Sequence, residues 1–135
     1  VNTLLPQLTP LDLAVWRRFL LLRPTMFDRF EYQVRVGKGQ PLPASATDAD
    51  QRNWAALTEK RIDAVGFNAD GITVIEVKPR GGPSALGQAL VYRDLYREKF
   101  RPAQTLSALV VCSYIDDDVR LSALRLGVSF YAVGP

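Results

Sequence analysis

Glu76 and Lys78 stand two residues apart at the end of the apolar run Ile72-Thr73-Val74-Ile75, so if that run is a strand both side chains leave it on one face. A strand covered on both sides seldom carries two charges. Upstream, Asp63 lies between Ile62 and Ala64, and Asn68-Ala69-Asp70-Gly71 has the composition of a turn that closes a hairpin. Counting outward from that turn sets Asp63 opposite Glu76. Two carboxylates this close repel, and one pKa rises unless a divalent cation lies between them. The chain has no histidine and one cysteine, so the ligands would be oxygens, which suits Mg²⁺ or Mn²⁺. A lysine beside such a cation can hold or deprotonate a water. A polarising metal, a positioned water and a compensating cation are together what cutting a phosphodiester requires. Glu-x-Lys alone is also what an exposed ion pair on a strand looks like.

The rest of the composition narrows the chemistry. Without histidine, imidazole acid/base catalysis and imidazole-ligated zinc are excluded, and Cys112, inside the apolar run 109–112, reads as a small buried hydrophobe. That cysteine usage predicts a reducing, intracellular setting. The apolar stretch 19–22 is far too short to span a bilayer, so a soluble protein without membrane contact is expected. A chain of 135 residues can bury one core, and a single domain over 1–135 is expected. The net charge of +3 permits a polyanionic partner without demanding one, because the basic residues are scattered.

Several elements must position the candidate site. Thr9-Pro10 followed by Leu11, Val15, Phe19 and Leu22 predicts a capped helix over 10–23. Phe30, Tyr32, Val34 and Val36 alternate with polar residues, which predicts a half-buried strand with those four on one face. From Gly37 to Asp50 no apolar period is visible, and a lid or mobile loop is expected. Strands follow over 58–67 and 72–78, a loop over 79–83, and a helix capped by Ser84 and running to Phe100. The β-branched run 106–114 predicts another strand, Asp116 to Asp118 acids in the first turn of a helix ending at Leu126, and 128–133 a last strand. The fold class is α/β, a mixed sheet with helices against it.

Asp63, twelve intervening residues and then Glu76-Val77-Lys78 resemble the motif of the PD-(D/E)XK nuclease superfamily, whose restriction-endonuclease-like core order αβββαβ matches residues 10–114; a further helix and strand follow. The resemblance implies that Asp63, Glu76 and the Val77 carbonyl hold a Mg²⁺ or Mn²⁺ ion and that Lys78 handles the attacking water. Gln88 and Tyr92, at i and i+4 on the next helix, are similar to the Gln-x-x-x-Tyr motif of RecB-like members, which implies places in or near the site; a solvated helix face or a core tyrosine also explains them. Two departures stand out. Ile62 occupies the position where the motif name places proline, and the acid that many members carry on the first helix could here only be Asp12, which also suits the helix dipole.

Arg80-Gly81-Gly82 fits either a backbone approach to phosphate or a plain turn, and Arg93, Arg97, Lys99 and Arg101 fit a solvated helix end or a nucleic-acid surface. The resemblance implies a metal-dependent nuclease acting on DNA, of resolvase, repair or restriction type, alone, as a homo-oligomer or in a larger complex. The alternative is a non-catalytic module that keeps the fold, such as a viral-particle component or a subunit of a nucleoprotein complex.

Overall fold

Thr9 accepts a hydrogen bond at its Oγ1 from the Asp12 N–H (3.2 Å), and Pro10 occupies the first helical position, so helix α1 runs Pro10–Leu22. The computed structural model describes residues 6–39 and 42–135, and only the backbone of 55–58. Strand β1 is Arg29–Val36, α2 Asp48–Thr58, β2 Lys60–Asn68, β3 Gly71–Val77, β4 Arg80–Gly81, α3 Pro83–Phe100, β5 Leu106–Cys112, β6 Tyr114–Ile115, α4 Arg120–Leu126 and β7 Val128–Ala132. The five-stranded sheet has the order β1-β2-β3-β5-β7, antiparallel from β1 to β3 and parallel from β3 to β7, and β4 pairs with β6 in a second small sheet. This is the expected mixed α/β architecture with αβββαβ at its centre.

Both faces of the sheet are covered. Val15, Trp16 and Phe19 of α1 pack with Phe27, Ala64, Ile75, Val77, Leu109 and Val111 on one face; Ala85, Leu86, Ala89 and Tyr96 of α3 pack with Val65, Val74, Ala108 and Val110 on the other. Burial on both faces explains why β3 and β5 read as near-continuous apolar runs. Leu11 and Leu22, expected to face the core, are instead exposed, and the buried stripe of α1 is Val15, Trp16 and Phe19. Cys112 is fully buried beside the Tyr131 carbonyl, and burial pushes its thiol pKa up to about 11, as a structural hydrophobe requires.

Several boundaries differ from the sequence expectation. The segment from Gly37 to Asp50 is not all loop: α2 begins inside it, because Thr47 Oγ1 accepts from the Asp50 N–H (3.1 Å) and Asp48 and Asp50 favour the first turn. Gln40 and Pro41 lie outside the described residues. The strand expected from 58 starts at Lys60 for the same reason, since α2 holds Thr58. Gly82, not Ser84, is the N-cap of α3, with Pro83 at its first position. The strand expected over 106–114 stops at Cys112, and Tyr114–Ile115 turns aside to pair with Arg80–Gly81, so the predicted loop 79–83 contains a short strand. Asp116 does not cap a helix by its side chain; its carboxylate accepts from the Arg80 guanidinium, and a 3₁₀ turn, Asp117–Val119, leads into α4. Among the described residues no helix is long and apolar enough to cross a membrane.

Gly66 shows how closely this frame is packed. A Cβ there would lie 2.6 Å from the ring of Phe27, which is 7% exposed and held against Phe30. Gly66→Ala is therefore expected to lower stability by about 1–3 kcal/mol, measured by denaturant unfolding. A variant as stable as the parent would show that Phe27 has room to move.

Candidate active site

Strand β3 brings Glu76 and Lys78 to the C-terminal end of the parallel strands. Glu76 follows Val74 on the α3 side and is 3% exposed, while Lys78, just past the strand end, donates its backbone N–H to the Val111 carbonyl (3.0 Å) and keeps a half-exposed side chain. Its Nζ lies 3.8 Å from Glu76 Oε1. The β2–β3 ladder runs from Asn68 opposite Gly71 to Ala64 opposite Ile75, the register expected from the turn, so the next position sets Asp63 beside Glu76. The ladder stops there because the Asp63 carboxylate takes over: its Oδ2 accepts from the Val77 N–H at 2.9 Å.

The electrostatics follow from this packing. Burial, then the charge of Asp63 and a hydrogen bond donated to it, push the Glu76 pKa up to about 9, with Lys78 opposing. Asp63 is also raised, chiefly by burial, although the Val77 N–H, the Glu76 hydrogen bond and Lys78 pull it back. Burial and their closeness thus favour the protonated form of both carboxyls. Asp12, at the start of α1, raises both, so the first helix does bring its acid into the field of the site. Glu76 Oε2 is buried and has no hydrogen-bond partner among the described residues, an arrangement that is costly in a closed interior and suited to an oxygen that receives a ligand.

The α3 residues divide. Tyr92 is half-buried, and its phenol pKa is raised by burial and then by the charges of Glu76 and Asp63. Gln88, one turn earlier, is half-buried with Oε1 lacking a partner, and among the described residues no hydrogen bond joins it to Asp63, Glu76 or Lys78. The basic cluster further along α3 is tied into the structure: Arg93 donates to the Leu126 carbonyl, Lys99 to the Arg35 carbonyl, and Arg97 and Arg101 pair with Asp94 and Glu98. That is the pattern of a solvated helix end. Arg80 and Gly82, with Lys78, Pro79 and Ser84, line a cleft of about 330 Å³ next to the site.

Sequence reasoning missed Gln33. It is in β1 with φ of 54°, a left-handed conformation, and the β1–β2 ladder pairs Tyr32 with Ala64 and Val34 with Ile62 but leaves out the intervening rung of Gln33 and Asp63. Phe30 and Tyr32 pack on the α1 side, whereas Val34 and Val36 pack on the α3 side. The four alternating residues therefore do not share one face, because a left-handed residue between them turns the strand over. Glutamine carries no signal for this; glycine or asparagine would have.

Oxygens of Asp63 and Glu76 are the side-chain donors that could hold a cation here, with the expected Val77 carbonyl between Glu76 and Lys78 in the chain. Among the described residues no three carboxylate or thiolate side chains gather at one point, so the remaining ligands of a Mg²⁺ ion would be water and substrate, as is usual for that ion.

No protein-family model matches the chain, and comparison with curated sequences finds no significant match. Solved structures do match. A repair endonuclease from Pyrococcus abyssi superimposes with a TM-score of 0.55 at 17% identity, over 90% of this chain and 46% of its own. EndoMS in a complex with dsDNA gives 0.57 at 16% identity, over 100% of this chain and 49% of its own, and EndoMS in its apo form gives 0.53 at 16%, over 90% and 46%. The chain thus spans about half the length of these proteins. At such identities the likeness is one of fold. The mixed five-stranded sheet flanked by helices is the fold that the chain shares with these endonucleases.

Proposed function

We propose that this protein is a metal-dependent nuclease that hydrolyses phosphodiester bonds of DNA. The observation that carries the reading is the buried pair of Asp63 and Glu76, with Glu76 Oε2 unpartnered and the Lys78 ammonium 3.8 Å from Oε1. Asp63, Glu76 and the Val77 carbonyl would hold Mg²⁺ or Mn²⁺. When bound, that ion would polarise the phosphate and acidify a water.

The chain's own groups supply the rest. The half-exposed Lys78 side chain holds and orients the attacking water and offsets negative charge as it builds on the phosphate oxygens. The Val77 N–H fixes one oxygen of Asp63 and so sets the direction of the other. On α3, Tyr92, whose phenol feels the charges of both carboxylates, and Gln88, with a free acceptor, would support the site. Support for DNA as substrate comes from the fold neighbours, a repair endonuclease among them and another protein in a complex with dsDNA.

The test is incubation of the purified protein with linear, circular and branched DNA in Mg²⁺, Mn²⁺ or EDTA. Cleavage in either metal and none in EDTA is the expected result. A protein that neither binds Mn²⁺ nor cuts any of these would be a non-catalytic module on the same fold.

A further inference from the structure

We infer that Gln33 is a positioning residue, and that its left-handed backbone conformation is what turns the Asp63 carboxylate toward β3. In a regular strand, residues two apart share a face. Here Phe30 and Tyr32 lie on the α1 side and Val34 and Val36 on the α3 side; opposite them Ala64 lies on the α1 side and Ile62 on the α3 side. Both strands are turned over at the same rung. The register is unchanged across it, with Tyr32 facing Ala64 before and Val34 facing Ile62 after, so no residue has been inserted and the feature is not a bulge.

The cause lies on β1. Gln33 has φ of 54°, while no residue of β2 has a positive φ. Among the described residues the other non-glycine in this region of backbone space, Arg101, caps the C-terminus of α3 and is accounted for by that place. Gln33 is mid-strand and caps no helix; its side-chain amide donates to the Gln7 carbonyl at 3.3 Å. A side chain held in a sparsely populated conformation points to a constraint imposed by its surroundings.

The consequence falls on Asp63. Counted from Val65, alternation would send its side chain to the α3 side; counted from Ile62, to the α1 side. At the crossover it follows neither count, and its Oδ2 accepts from the Val77 N–H at 2.9 Å. That places a carboxylate in the seam between the helices, where Asp12 of α1 acts on it and where it acts on Tyr92 of α3. The metal arm of the test rests on the nuclease reading above; the exchange arm does not.

Four variants decide it: Gln33→Gly and Gln33→Asn, which accept the left-handed region, and Gln33→Ala and Gln33→Val, which resist it. Two quantities are measured: hydrogen exchange of the Val77 amide by NMR, and Mn²⁺ affinity by calorimetry. In Gln33→Val the Val77 amide should lose its protection and Mn²⁺ should bind about tenfold to a hundredfold more weakly, the range expected when a group that orients a ligand is lost. Gln33→Ala should move the same way by less, which keeps the test usable if the valine variant does not fold. Gln33→Gly and Gln33→Asn should match the parent. Equal losses in the glycine and valine variants would overturn the proposal, since the side chain and not the backbone conformation would then matter; so would an unchanged Val77 amide in both the alanine and valine variants. A parent protein that binds no Mn²⁺ but shows this pattern of exchange would sink the metal site and leave the role of Gln33 standing.

Discussion

Lys78→Ala is expected to slow DNA cleavage by about a hundredfold to a thousandfold, the usual effect of deleting one preorganised charge, while Mn²⁺ still binds. Asp63→Asn and Glu76→Gln are expected to lose both cleavage and metal. The separation follows from geometry. Lys78 is not a cation ligand; its Nζ stands 3.8 Å from Glu76 Oε1 on a half-exposed side chain, so its removal leaves the carboxylate oxygens in place. It also leaves the strand in place, because the Lys78 contact with β5 is made by its backbone N–H to the Val111 carbonyl, which alanine keeps. Asp63 and Glu76 instead present the oxygens themselves. Calorimetric Mn²⁺ titration run beside a gel assay on the same preparations measures both quantities. Cleavage by Lys78→Ala at the parental rate would mean a contaminating nuclease or a different mechanism.

The hairpin was legible because its turn and its pairing are local. Asn68 to Gly71 announces the reversal, and the observed register follows from counting outward, with Ala64 opposite Ile75 and Asp63 next in line to face Glu76. The apolar run 72–75 showed a strand covered on both sides, and a charged pair at its end was conspicuous for that reason. Other features depend on partners distant in sequence. Tyr114 and Ile115 leave the main sheet to pair with Arg80 and Gly81, held there by the Asp116–Arg80 pair, and nothing local distinguishes them from the strand they follow. The start of α2 was hidden by its polarity: Asp48, Asp50 and Gln51 show no apolar period, and only the Thr47 cap marks it. The turn-over at Gln33 was invisible because glutamine has no preference for that conformation.

The same arrangement that suits a cation should weaken the protein when none is bound. Glu76 has its pKa raised from 4.5 to about 9, so between these values the folded state holds a proton that the unfolded chain has lost. Stability then falls as pH rises, by up to about 1.4 kcal/mol per pH unit for one proton, and the contribution is complete below the unfolded value and gone above the folded one. Asp63 is shifted in the same direction. In EDTA the melting temperature of the parent should therefore drop steadily from pH 5 to pH 9, and Mn²⁺ should restore it most at the alkaline end, where no proton has to be displaced. Glu76→Gln cannot ionise, so its melting temperature should be much less sensitive to pH and, near pH 8.5 in EDTA, should exceed the parent's by about 5 °C or more. A variant inactive in cleavage yet more heat-resistant without metal would identify Glu76 as a residue retained against the interests of the fold. A parent whose metal-free melting temperature is flat from pH 5 to pH 9, or a Glu76→Gln protein that melts lower than the parent near pH 8.5, would mean that the carboxylate pair is already satisfied by the protein and is not waiting for a cation.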